Sequence, residues 1–102
     1  MELKGKNALI TGSGIRLGRA IALALAAEGC NLALHYHHSA EEVHKVQTAA
    51  VNMGVQAEIF QADLSDPNQL QQLIQAVTTA FGHIDILINN AGTIRREDAI
   101  KF

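Results

Sequence analysis

Twelve consecutive residues, Ala8-Leu9-Ile10-Thr11-Gly12-Ser13-Gly14-Ile15-Arg16-Leu17-Gly18-Arg19, have the types and spacing from which a phosphate-binding turn is built. An apolar strand runs into a turn punctuated by Gly12, Gly14 and Gly18, and an alanine-rich segment then opens a helix. Glycine admits backbone angles and close approaches that a Cβ blocks, and a helix start directs unpaired N–H groups at an anion. The anion expected here is the pyrophosphate of a dinucleotide. Glycines at this spacing also occur in ordinary strand-to-helix turns, so the surrounding elements have to carry the specificity.

Those elements alternate. Strands are expected at Ala8-Leu9-Ile10, Asn31-Leu32-Ala33-Leu34, Val55 to Phe60 and Ile84 to Ile88. Helical spacing links Leu17, Ile21 and Leu25; then Val43, Val46, Ala50 and Met53; then Leu70, Leu73, Ile74, Val77 and Phe81. Gly29, Gly54 and Gly82 follow the three helices at the C′ position. Asp66-Pro67 supplies a capping side chain and a proline at the first helical position, with Gln69 placed to complete a capping box. Strands that alternate with helices pair in parallel through right-handed crossovers, and apolar strands need cover on both faces. The expected architecture is an α/β doubly wound parallel sheet with strand order 3-2-1-4, and a ligand crevice beside strand 1 where the winding reverses.

A chain of 102 residues is one domain, spanning 1–102. With 48% hydrophobic and 18% charged residues and a net charge of −2, it has the composition of a globular protein, not of a nucleic-acid or anionic-membrane binder. The longest apolar run, Ala20 to Ala27, is too short to span a bilayer, and Met1-Glu2-Leu3-Lys4 has no signal-peptide core, so a cytoplasmic protein is expected. The single cysteine, Cys30, has no partner for an internal disulfide and reads as a buried, inert thiol.

Three motifs in order, Thr11-Gly12-Ser13-Gly14-Ile15-Arg16-Leu17-Gly18, Asp63-Leu64 and Asn89-Asn90-Ala91-Gly92, resemble those of the short-chain dehydrogenase/reductase family. The resemblance covers essentially the whole chain but only the first part of the family's longer fold, so a truncated Rossmann fold is expected. It implies that Gly12, Ser13, Ile15, Arg16 and Leu17 hold the pyrophosphate and adenosine ribose. Asp63 and Leu64 would meet the adenine, and Asn90, Ala91 and Gly92 would approach the nicotinamide-side ribose. Taken as residues alone, Asp63 equally begins an Asp-Leu-Ser-Asp turn, and Asn89 to Gly92 equally end a strand by side-chain-to-backbone bonds.

Which dinucleotide is expected follows from a departure. The family's commonest turn has glycine where this chain has Arg16, and strand 2 runs into His35-Tyr36-His37-His38-Ser39 with no acid to bind a ribose 2′-hydroxyl. A guanidinium fork, two imidazoles and a hydroxyl suit a 2′-phosphate, so NADP(H) is expected over NAD(H), with His37, His38 and Ser39 in the site. Arg-Leu-Gly followed by His-Tyr-His-x-Ser resembles the NADPH-dependent pteridine reductases, whose x position is often Arg where this chain has His38. Ser39-Ala40-Glu41-Glu42 also reads as a capping box, with two glutamates that oppose a phosphate. The histidines have no Cys or acid at ligand spacing, and no metal is expected.

The resemblance also implies hydride transfer at nicotinamide, assisted by a Ser and a Tyr-x-x-x-Lys pair. This sequence contains no such pair: its one tyrosine, Tyr36, has Ala40 four residues on. Residues Thr93 to Phe102 resemble the 2-deoxygluconate type of sugar-acid dehydrogenase, so front and back suggest different substrates. The expected function is the NADP(H)-binding portion of an oxidoreductase acting on a carbonyl, alcohol or pteridine, with no catalytic residue in this chain. The alternative is a non-catalytic or designed Rossmann fragment that self-associates. An apolar strand 4 at the sheet edge favours pairing with another copy or a complementing chain.

Overall fold

The computed structural model describes residues 2–14 and 16–91. Asn7–Ile10 (β1) and Asn31–Tyr36 (β2) are buried at nearly every position because both faces of their sheet are covered. Successive side chains point to opposite faces, so each strand supplies two cores. Ala8, Ile10, Leu32 and Leu34 pack against Ala22 and Ala26 of Arg16–Ala27 (α1) and against Val43, Val46 and Ala50 of Ala40–Asn52 (α2). Leu9 and Ala33 face the other way, onto Leu73 and Val77 of Pro67–Phe81 (α3).

Ala57–Gln61 (β3) and Ile86–Ile88 (β4) complete a four-stranded parallel sheet of order β3-β2-β1-β4. This is the expected doubly wound arrangement, with the winding reversing at β1. Two strands are shorter than expected at their start: β3 begins at Ala57, not Val55, and β4 at Ile86, not Ile84. At β4 the reason is polar. Asp85 accepts the Asn7 N–H at 2.8 Å, and its own N–H donates to the Asn7 carbonyl at 2.9 Å, so the ladder opens on a side chain. Asn7 Nδ2 also donates to the carbonyls of Phe81 and His83 at 3.2 and 3.1 Å, fastening the end of α3 to β1. The Asn7 hydrogen bond holds the Asp85 carboxyl below the usual carboxylate range.

The buried stripe of α1 is Gly18, Ala22 and Ala26, one position along from the Leu17, Ile21 and Leu25 spacing read in the sequence, and Leu17 is exposed. Small residues let the helix lie close to the sheet, and that closeness outweighs the larger leucine stripe. Helix α3 starts as expected, with Asp66 Oδ1 accepting from the Asn68 N–H at 2.9 Å and Pro67 following, and ends at Gly82 with φ +86°. Gln69, however, reaches past Asp66 to accept the Asp63 N–H at 2.8 Å, so it braces the β3–α3 turn in place of closing a capping box.

Leu34 is fully buried at the centre of the larger core, while Val51 lies half exposed on α2. Leu34→Ala is expected to destabilise the chain by about 2–5 kcal/mol and Val51→Ala by about 0.5 kcal/mol or less. Urea unfolding of the two variants reads the difference; equal losses would contradict this packing.

Candidate functional site

At the carboxyl end of the sheet, Thr11 joins β1 to the segment after β4. Its N–H donates to the Ile88 carbonyl at 3.0 Å, and its fully buried Oγ1 accepts the N–H groups of Asn90 and Ala91 at 2.8 and 3.0 Å. The hydroxyl proton then faces the Ile88 carbonyl and Asn89 Oδ1, at 3.4 and 3.3 Å. One side chain thus sets the course of Asn90 and Ala91 beside the glycine turn. Asn90 returns the contact, its Nδ2 donating to the Gly12 carbonyl at 3.2 Å.

Gly12 has φ +63°, the left-handed region that favours glycine. A Cβ on Gly18 would overlap the Gly12 carbonyl oxygen and stand 2.6 Å from Asn90 Nδ2, so only glycine fits where α1 meets the turn. Ser13 is buried, with N–H and Oγ donating to the His35 carbonyl at 3.0 and 2.9 Å. A Cβ on Gly14 would come within 3.3 Å of Ser39 Cβ, which puts the turn against the start of α2. Among the described residues of the turn, the glycines carry no side chain and Thr11 and Ser13 are turned inward, which leaves a backbone cradle at the start of α1.

Around this cradle the structure gathers most of the expected residues. Arg16 and Leu17 are exposed at the first turn of α1, and Arg16 is a non-glycine residue with positive φ, at 52°. His38 is exposed and stacks on His37, with ring centroids 3.7 Å apart. Ser39 is the N-cap residue of α2 but makes no side-chain cap hydrogen bond, so the capping-box reading of Ser39-Ala40-Glu41-Glu42 does not hold and its hydroxyl is not spent on the helix. Leu64 is buried on the α3 side of the sheet. Ile15 and Gly92 lie outside the described residues.

Asp63 realises the turn reading of the sequence. Its Oδ1 accepts from Ser65 N–H and Oγ at 3.0 and 2.6 Å, and these bonds hold its carboxyl below the usual range. The structure gives Oδ1 this local duty, and an adenine contact would have to use the rest of the carboxylate. Among the described residues no three His, Cys, Asp or Glu side chains group as metal ligands.

Sequence reasoning weighed His35 only as a metal ligand and missed its place beside the glycine turn. Its ring is buried, Nδ1 accepts the Gly12 N–H at 3.0 Å, and Nε2 meets the Ala62 carbonyl at 2.9 Å. A buried polar residue next to the end of β2, two residues before the His37-His38 pair, was the available signal. Cys30 is buried as expected, its Sγ 3.3 Å from the Leu3 carbonyl, and burial pushes the thiol pKa up.

Comparison with known proteins agrees with this geometry. Residues 6–102 match the family model for short chain dehydrogenases. Hydroxynaphthalene reductase of Aspergillus fumigatus is 42% identical over 92 residues, which are 90% of this chain and 34% of that protein. The L-rhamnose 1-dehydrogenase (NADP(+)) of Thermoplasma acidophilum is 39% identical over 101 residues, 99% of this chain and 40% of the other. A short chain dehydrogenase of Burkholderia cenocepacia, solved in complex with NADP, superposes with a TM-score of 0.86 at 38% identity, over 96% of this chain and 43% of its own. The chain therefore spans well under half the length of these relatives. With its cradle, its strand order and this match over nearly all its length, the chain belongs to the short-chain dehydrogenase family.

Proposed function

We propose that this chain is the NADP(H)-binding portion of a short-chain oxidoreductase that, as a whole, transfers hydride between a nicotinamide ring and a carbonyl, alcohol or pteridine substrate. The observation that carries the reading is the close approach of α1 to the glycine turn: Gly18 packs on the Gly12 carbonyl where any Cβ would clash, so the start of α1 opens directly onto the turn. Such a cradle suits a pyrophosphate, which would lie against Gly12, Ser13 and the first turn of α1. When bound, the nicotinamide supplies the hydride chemistry. The role of this chain is to bind and orient. Thr11 holds Asn90 and Ala91 where a ribose would pass, and Ile15, Gly92, Asp63 and Leu64, the last through its backbone because its side chain is buried, complete the proposed contacts.

Preference for the 2′-phosphate rests on Arg16, His37, His38 and Ser39. Arg16 is exposed beside the cradle, the Ser39 hydroxyl is not used as a helix cap, and β2 ends without an acid. Glu41 and Glu42 in the first turn of α2 oppose a phosphate, although Glu42 is partly answered by Lys45 at 3.4 Å. The relative named for NADP(+) and the neighbour solved with NADP support the same preference. A cytoplasmic location belongs to the proposal, supported by the lone, buried, unpaired Cys30.

The proposal includes self-association or a complementing chain at β4. Among the described residues β4 pairs only with β1, leaving the other edge of Ile86, Leu87 and Ile88 unpaired. Sedimentation velocity at micromolar concentration should show dimers or larger species; a single compact monomer would contradict it.

Titration by calorimetry tests the cofactor reading. NADPH should bind more tightly than NADH, and Arg16→Ala should weaken NADPH by roughly tenfold while leaving NADH nearly unchanged. Equal affinity for the two nucleotides, or an Arg16→Ala variant indistinguishable from the parent, would contradict the 2′-phosphate site. Absence of binding by either would contradict the function.

A further inference from the structure

The His35 ring has only one arrangement of protons that satisfies both of its contacts. The Gly12 N–H is a donor, so Nδ1 must carry a lone pair; the Ala62 carbonyl is an acceptor, so Nε2 must carry the proton. The backbone of the same residue accepts both donors of Ser13. His35 therefore holds two successive cradle residues, and through Ala62 it ties them to the segment that leads into Asp63 and Leu64. Only 2% of its surface is exposed, so water does not substitute for either partner.

We propose that His35 is a positioning residue for the dinucleotide cradle, and that protonating its ring releases Gly12, so that acidification loosens the nucleotide site. A proton on Nδ1 would point at the Gly12 N–H across 3.0 Å, replacing a hydrogen bond with two opposed donors in a buried place. Among the described residues, the surroundings offer the imidazolium no counter-charge. The β1–α1 turn presents the uncharged Gly12 and Ser13, the β3 register partner is Phe60, and α3 carries no charged residue. Asp63, which follows Ala62, accepts from Ser65 and acts on His37 and His38, while the titratable neighbour acting on His35 is His37. Burial accordingly lowers the ring's pKa, against the smaller opposing pull of the Ala62 carbonyl.

The sign of the pH effect follows. With the folded pKa below the ordinary imidazole value of about 6.5, the folded chain takes up the proton less readily than the unfolded one. The contribution of the neutral ring is whole above that value and is lost as pH falls toward and through the folded pKa. In the folded chain, Gly12 is released only as pH passes the lowered value.

The part of the proposal that concerns nucleotide rests on the proposed NADP(H) function, and two measurements on the whole chain separate them. Nitrogen NMR of the free protein should show an Nε2–H tautomer at about pH 7.5, with the Gly12 amide shifting and losing exchange protection as His35 titrates. An Nδ1–H tautomer, or a Gly12 amide indifferent to the titration, would overturn the lock without reference to any ligand.

The second measurement is NADP+ affinity from about pH 7.5 to about pH 5 for the parent and for His35→Asn, whose amide oxygen can accept from Gly12 but does not titrate in this range. The parent should weaken relative to the variant by about fivefold or more across the range, a comparison that cancels titration of His37, His38 and the nucleotide. A constant ratio would overturn the positioning role while leaving the NADP(H) reading in place. No binding by either protein would overturn the NADP(H) reading and with it the nucleotide part of this proposal, leaving the NMR result to decide the lock.

Discussion

The carboxyl end of this sheet depends on one close approach: α1 begins directly on the carbonyl of Gly12, with Gly18 beneath it and no room for a Cβ. That contact fixes where the helix start points and how near a ligand can come to the turn. It also explains the small residues Ala22 and Ala26 further along α1, since a helix held this close to the sheet cannot carry larger side chains on its buried stripe. A strand-to-helix turn without the contact would be a connection; with it, the turn is a cradle.

Polar side chains keep that cradle in place, and each works on backbone. Thr11 anchors Asn90 and Ala91, Asn90 returns to the Gly12 carbonyl, the His35 ring holds the Gly12 N–H, and the Ser13 hydroxyl donates to the His35 carbonyl. At the opposite end Asn7 and Asp85 do the same for the start of β4. Among the described residues no buried side-chain nitrogen or oxygen lacks a partner, so the polar cost of placing these groups inside an apolar sheet is met by defined bonds. The outer side of the cradle contrasts with this. Arg16 and His38 are exposed, and the Ser39 side chain makes no cap hydrogen bond to its helix.

Strand order and the two-sided core were legible because alternation of apolar runs with helical spacing depends on the chain's period alone. The glycine turn was legible because Gly12 and Gly18 are required by geometry that no other residue satisfies. Less legible were effects that need a neighbour distant in sequence. The buried stripe of α1 was displaced by one residue because closeness to the sheet, not hydrophobic size, chose Gly18, Ala22 and Ala26. Gln69 bonds Asp63 and not the Asp66 backbone, and Ser39 leaves its helix uncapped, because the preceding turns present their groups differently from a regular cap. The place of His35 beside the glycine turn was invisible because its partners, Gly12 and Ala62, lie 23 and 27 positions away.

The central claim is that this cradle receives a dinucleotide, and the most direct measurement is amide chemical-shift mapping of the chain on addition of NADPH. The account predicts saturable shifts concentrated at Gly12, Ser13, Arg16, Leu17, Ser39, Leu64, Asn90 and Ala91, with the outer faces of α2 and α3 unmoved. Shifts absent at saturating nucleotide, or gathered away from the carboxyl end of the sheet, would contradict it.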